Sequence, residues 1–265
     1  MKDLQKSRDD RGIAIDRVGV SDLRYPVVVL DKTEKKQHTV ANITLSVDLP
    51  HHFKGTHMSR FLEVLNRHHG EITMHTVPAI LRELQERLEA ERAHISLCFP
   101  YFIKKAAPVT RAEGMMDYQC AFIGERAENT DDFLLEAEIP VTSLCPCSKE
   151  ISKYGAHNQR SRVSIRVRTR RRENGMWDFI WIEELIAIAE ASASAPLFSL
   201  LKRSDEKLLT ELAYDNPVFV EDLARDIARK LTEEERIDWF RVRCVNEESI
   251  HNHNAFAEIT WSRNH

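Results

Sequence analysis

The residues best suited to chemistry lie in one stretch, SLCPCSKEISKYGAHNQRSR, residues 143–162. Cys145 and Cys147 flank a single proline, and His157 follows among polar and basic residues. A closed structural zinc site usually separates its cysteines by roughly two to four residues and adds a second ligand pair. Cys-Pro-Cys is too short for that pattern. With one distant histidine it suits an open, catalytic metal site, and a nucleophilic thiol is the other chemical possibility. A disulfide between residues two apart would be strained. A structural role, or none, is the plainer alternative. Cys98, Cys120 and Cys244 lie within apolar strand-like runs and are expected to be small buried hydrophobes.

Alone, His157 reads as an exposed loop histidine; beside the two cysteines it becomes a candidate second ligand. His251 and His253, in ESIHNHNAF, would present both rings on one side if the backbone is extended, although turn histidines explain them equally well. His51-His52 and His68-His69 sit at element ends and read as surface. Among carboxylates, Asp205, Glu206 and Glu211 in LLKRSDEKLLTEL fit a solvated, salt-bridged helix turn. Glu221 falls at a helix start, where the dipole favours a negative charge. The sharper possibility there is recognition, because one carboxylate can accept two hydrogen bonds from adjacent N–H groups. Lys149, Lys153, Arg160 and Arg162 make a local cationic cluster that is either a solvated face or a phosphate contact. No glycine-rich phosphate loop occurs.

These residues need elements to position them. Period-two alternation marks strands at 39–49 and 160–170, the latter alternating Arg or Ser with Val163, Ile165 and Val167; further strand runs are 25–30, 94–104, 116–125, 133–141, 238–248 and 254–261. Helical spacing joins Phe61, Leu62, Leu65 and Met58, and then Val77, Ile80, Leu81, Leu84 and Leu88 behind Pro78. Two more helices are expected over 178–194 and 219–231. The order is strand, strand, helix, helix, strand, strand, twice over. That predicts an α+β fold of two tandem modules, about 13–126 and 131–263, with antiparallel sheets and helices on one face. The sheet edges call for cover by another subunit.

The chain has 265 residues, 42% apolar and 30% charged, with a net charge of -4, so a large core is available and no global nucleic-acid signal exists. No apolar run approaches the roughly 20 residues of a membrane helix. The charged opening MKDLQKSRDDRG lacks a secretory h-region, and five scattered cysteines are no disulfide framework; the cytoplasm is expected.

Five segments taken together carry a resemblance: GTHMSRF (55–61), IPVTSLCPCSKEISKYGAHNQRS (139–161), LLKRSDEK (200–207), NPVFVEDLARD (216–226) and SIHNHNAFA (249–257). In this combination and order the chain resembles the type IB GTP cyclohydrolases, prokaryotic enzymes of the tunnelling-fold (T-fold) superfamily, over essentially its whole length. The resemblance implies tandem modules assembled into barrels, as a homotetramer with interfacial active sites. It implies metal-dependent hydrolysis of GTP to 7,8-dihydroneopterin triphosphate and formate, the first step toward tetrahydrofolate, with metal-activated water attacking C8 of guanine.

Carried over residue by residue, Cys145, His157 and Glu206 would hold a divalent metal (zinc, manganese or iron(II)), with Cys147 in support. Glu221 would anchor the guanine N–H edge, and His251 and His253 would exchange protons near the opening imidazole ring. Lys149, Lys153 and Arg160, with Arg60 from a neighbouring subunit, would hold the triphosphate. Ser204 replaces an expected proline, a loop substitution that touches none of these roles.

Two rivals remain at this point. One is an NADPH-dependent deazapurine nitrile reductase of the same superfamily, in which a cysteine in a similar Ser-x-Cys-Pro context forms a covalent thioimide and no metal is needed. The other is a non-catalytic protein with a closed Cys2His2 zinc site built from Cys145, Cys147, His251 and His253.

Overall fold

Alternating apolar residues at 43, 45 and 47 can bury only one face of a strand, and the fold is organised around that constraint. The computed structural model of the chain describes residues 5, 7–68, 72–73, 75–128, 130–173 and 175–263. By their internal contacts these fall into two compact units, Met1–Pro100 with Ala121–Leu135, and Tyr101–Cys120 with Glu136–His265.

In the first unit β1 (Ile15–Asp31) and β2 (Lys35–Leu49) form a long antiparallel hairpin, followed by α1 (Met58–Arg67), α2 (Val77–Leu88) and β3 (Arg92–Ala106). Ile43 pairs with Leu97 and Leu45 with Ile95, so adjacent strands present one continuous apolar face. The buried stripes Phe61, Val64, Leu65 of α1 and Val77, Ile80, Leu81, Leu84 of α2 cover this unit's core. Gly124, on β4 (Glu113–Ala127), marks how closely α2 approaches: a Cβ there would lie 2.6 Å from Val77 and 2.9 Å from Ile95. Strand β5 (Thr130–Leu144) pairs beside β4.

The second unit continues through α3 (Pro146–Ile151), β6 (Asn158–Thr169), α4 (Ile182–Glu190), the two-residue β7 (Ala195–Pro196), α5 (Arg203–Asp215), α6 (Val220–Glu233), β8 (Ile237–Asn246) and β9 (Ala255–Ser262). Neighbouring strands run β5-β6-β8-β9, with β7 on β5. Val163, Ile165 and Val167 face Cys244, Val242 and Phe240 across the β6–β8 ladder. The α6 stripe Leu223, Ala224, Ile227 and Leu231 is buried, and Phe240 stacks on Trp261 at 5.3 Å. Each large side chain among these that is fully buried, such as Leu223, Ile227 or Phe240, is worth about 1.5–3 kcal/mol.

Several elements differ from the sequence expectation. β1 begins ten residues before the apolar run at 25–30, because its polar half still pairs with β2 through two bulges. On α1, Leu62 and Met58 are exposed and Val64 takes the inward position. Segment 203–215 is a full helix rather than a turn, and α3 and β7 had no periodic signature. Cys120 and Cys244 are buried as expected, but Cys98 is exposed: with Leu97 and Phe99 inward, alternation sends it outward. His51 and His52 are exposed, His68 meets Glu83 at 2.8 Å, and His69 lies outside the described residues.

Asp205 shows why LLKRSDEK folds as it does. Its carboxylate is fully buried and accepts four hydrogen bonds, from the amides of Val109, Thr110 and Lys202 and from the Thr110 hydroxyl, at 2.6–2.9 Å. Burial by itself would raise its pKa, but the Thr110 hydroxyl and the backbone donors outweigh it and hold the carboxyl well below the usual range. A folded-state value below the unfolded one means the stabilisation is full above the unfolded pKa of about 4. It drains as pH falls toward the lower folded value. Asp205→Asn should therefore lower the melting temperature at pH 7 and flatten its fall as pH drops below about 4, read by thermal denaturation across a series from pH 7 to about pH 2.

Candidate active site

The site is built where β5 ends. Leu144 leads into Cys145, which is extended (φ -73°, ψ 118°) and caps α3. Pro146 suits the first helical position because its fixed φ fits and its missing N–H is no loss there. Cys145 Sγ accepts from the Ser148 amide at 3.5 Å. Beyond α3, Gly155 has φ +112°, a conformation that glycine adopts without penalty, and the chain turns back. The excursion is then closed at its neck: Cys145 N–H donates to the His157 carbonyl at 3.1 Å. Ser148 Oγ donates to the Cys145 carbonyl and accepts from the His157 amide, both at 3.2 Å. The backbone thus ties His157 to Cys145. Cys147 stands exposed on α3.

A polar network holds the surrounding strand ends. Val218 N–H donates to the Leu144 carbonyl at 3.1 Å, and Ser143 Oγ donates to the Val218 carbonyl at 3.2 Å. Asn246 Nδ2 donates to Ser143 Oγ, and Ser161 Oγ donates to Asn246 Oδ1. Ser194 Oγ accepts from the Leu144 amide at 3.0 Å. The end of β5, the start of β6, the end of β8 and the lead into α6 are therefore pinned together. Glu221, in the first turn of α6 and exposed, follows three residues after Val218.

The β8–β9 connection leaves from this network. Glu247 N–H donates to the Arg160 carbonyl at 2.9 Å, and Glu248 reaches back to His157, with Oε2 3.9 Å from Nδ1. Farther along the same connection, His251 and His253 are exposed and their rings stack at 5.1 Å, so both do lie on one side. Gln159 bridges the imidazole and Glu248, its Oε1 2.9 Å from His157 Nδ1 and its Nε2 3.4 Å from Glu248 Oε1.

The cations divide. Lys149 is engaged, its ammonium 2.5 Å from the Tyr214 carbonyl and 4.4 Å from that ring's centroid. Arg162 pairs with Glu247 at 2.7 Å. Lys153 and Arg160 are exposed. In the first unit, Arg60 Nη1 donates to the Arg87 carbonyl near the C-terminus of α2.

Glu206 is exposed in the first turn of α5, about 12 Å along the axis from Tyr214 at the far end of that helix. Among the described residues no three His, Cys, Asp or Glu side chains stand close enough to hold one ion. The thiol and imidazole fit two positions of an open transition-metal site in donor chemistry. A third protein donor is not gathered with them among the described residues of one chain. The two buried thiols are poor nucleophiles and poor ligands, since neither ionises readily. Burial, then the charges of Glu183 and Glu136, pushes Cys120 up, and burial pushes Cys244 to about 12.

Sequence reasoning missed Gln159, Glu248, Ser148 and Asn246. Gln159 and Ser161 occupy inward positions of β6, in step with Val163 and Ile165, and a polar residue in a buried register is a legible signal. Glu248 carries none, because it sits just past a strand end.

The fold and site together define a class: tandem T-fold modules in which Cys145 and His157 are joined through the backbone at the end of a strand. Uricase from Arthrobacter globiformis shares the fold at TM-score 0.54 and 11% identity, over 94% of each chain. Urate oxidase from Bacillus subtilis 168 does so at 0.53 and 9%, over 93% of this chain and 98% of that one. The chain belongs to the type I GTP cyclohydrolase FolE2 family, whose model matches residues 1–257. GTP cyclohydrolase FolE2 of Syntrophotalea carbinolica is 55% identical over 98% of this chain and 95% of its own length. That of Thermosipho africanus is 53% identical over 97% and 96%.

Proposed function

We propose that the protein hydrolyses GTP to 7,8-dihydroneopterin triphosphate and formate, opening the route to folate. Family membership over nearly the whole chain supports the substrate, and the closed neck joining Cys145 to His157 is the observation that supports the site. Cys145 and His157 would hold a divalent ion (zinc, manganese or iron(II)), with Glu206 completing the set from a neighbouring copy. Such an ion, when bound, lowers the pKa of water toward about 7 and so supplies a nucleophile at neutral pH.

The other residues have roles that follow from their placement. Glu221, at a helix start with its carboxylate in solvent, can accept paired hydrogen bonds from the N–H edge of guanine and so orient C8. His251 and His253, side by side and exposed, suit proton delivery to the ring nitrogen that leaves and proton removal in later steps, since an imidazole can both donate and accept a proton. Lys153 and Arg160 are exposed for the triphosphate; Lys149 would first have to leave Tyr214, and Arg60 would come from another subunit. Cys147 stays beside the pair as a supporting thiol.

A homotetramer with interfacial sites is consistent with three features. Glu206 is not gathered with Cys145 and His157 in one chain, β9 leaves a sheet edge, and Ile151 and Tyr154 beside the site are 84% and 97% exposed. We take the tandem modules to span about 13–126 and 131–263. No helix among the described residues is long and apolar enough to cross a membrane, and all five cysteines are free thiols; we place the enzyme in the cytoplasm.

The decisive assay incubates the purified protein with GTP and Mn2+, with and without EDTA. Formate release with a fluorescent pterin, lost on chelation and restored by metal, is the expected result. A metallated, oligomeric protein that yields neither product overturns the proposal. NADPH oxidation with a deazapurine nitrile would point to the reductase instead.

A further inference from the structure

Gln159 is 8% exposed on an inward position of β6, and the proposed reaction leaves it without a role. It lies between two nearly buried side chains, His157 at 13% and Glu248 at 11% exposure. The amide has two ends, and its neighbours decide which faces which. Glu248 as a carboxylate can only accept, so the amide must turn its NH2 toward Glu248, 3.4 Å away. That directs the carbonyl at His157 Nδ1, 2.9 Å away. A carbonyl also only accepts, so Nδ1 must carry the ring proton. Glu248 Oε2, 3.9 Å from the same nitrogen, favours the proton there as well. We infer that Gln159 is a positioning residue that fixes His157 as the Nδ1–H tautomer, with the ring held still and Nε2 left bare.

This deepens the proposed function and rests on His157 being a metal ligand. The consequence is that Nε2 is the ligating atom and is prepared before an ion arrives. Partners of this kind orient the imidazole and raise its basicity, and losing one typically weakens metal binding by about 10- to 100-fold.

The test is 1H–15N correlation NMR of metal-free protein labelled at histidine, held at about pH 8, where a free imidazole is neutral. The wild type should show Nδ1 protonated and Nε2 bare at His157. Gln159→Leu removes the acceptor and should release the tautomer preference. Gln159→Glu keeps an acceptor and should keep Nδ1 protonated, while its second carboxylate beside Glu248 makes the ring more basic. Titration with Mn2+ alone should show about 10- to 100-fold weaker binding for Gln159→Leu than for the wild type. A protonated Nε2 in the wild type overturns the inference, and so does a Gln159→Leu protein with unchanged tautomer and Mn2+ affinity. If Gln159→Leu does not fold, the wild-type and Gln159→Glu spectra decide. The parent reading fails separately: His157→Ala binding Mn2+ as tightly as the wild type would remove the metal site and leave the tautomer result standing.

Discussion

Cys145→Ala is expected to abolish tight binding of Mn2+ or Zn2+ and to lower kcat for GTP by about a thousandfold or more, because bulk water near pH 7 is a far weaker nucleophile than water on a metal. In the proposed site the thiol is one of two donors whose backbones are joined, and alanine leaves the imidazole alone. Folding should survive. The lost side-chain bond to the Ser148 amide is long, 3.5 Å, and a helix cap is worth about 1 kcal/mol. The Cys145 N–H bond to the His157 carbonyl, which closes the neck, is untouched by the substitution. Cys147→Ala is the matched control, expected to lose no more than about tenfold, since Cys147 is exposed on α3 and has a supporting role in the proposed site. Metal content by elemental analysis and initial rates of formate release read both variants. If the two exchange behaviour, the ligand is Cys147.

Glu221→Ala carries the second large effect. Two hydrogen bonds from guanine N–H groups to a carboxylate are each worth about 1.5–3 kcal/mol, so kcat/KM should fall by about a hundredfold to ten-thousandfold. Metal content should stay at the wild-type level, which separates this variant from Cys145→Ala. Glu221 is exposed at the first turn of α6 and buries nothing, so thermal stability should change little. Glu221→Gln is the informative companion. It keeps the shape, replaces one acceptor by a donor, and should recover little activity if the substrate offers two N–H groups. Equal kcat/KM for wild type and Glu221→Ala would remove guanine anchoring from this position.

Much of this architecture could be read along the chain. The alternation in RSRVSIRVRTR places Val163, Ile165 and Val167 inward, and the structure has them at 0–1% exposure. The same alternation carries Gln159 and Ser161 into the interior, which composition alone would not suggest for polar residues. β1 was under-read because its first ten residues are held by pairing with β2 rather than by burial, and pairing leaves no hydrophobic period. α5 was under-read for a related reason. Its anchor is buried Asp205, held by Val109, Thr110 and Lys202, and two of those partners are distant in sequence. The same helix carries Glu206, whose neighbour Asp205 is the structural carboxylate of the pair.

By itself the sequence determined the order of eight strands and of the helices α1, α2, α4 and α6, the inward face of most strands, and the residue types that could carry the chemistry, because those depend on local period and residue type. Five motifs in order were enough to indicate the family that the whole-length comparisons show. Tertiary structure decided which of these residues meet. It joined Cys145 to His157 through one backbone hydrogen bond, left Cys147 outside that bond, and engaged Lys149 with Tyr214. It also brought Gln159 and Glu248 to the imidazole from residues 89 apart. Such meetings depend on the register of one strand end against another, and hydrophobic periodicity sets which face a residue takes without setting what lies opposite its tip.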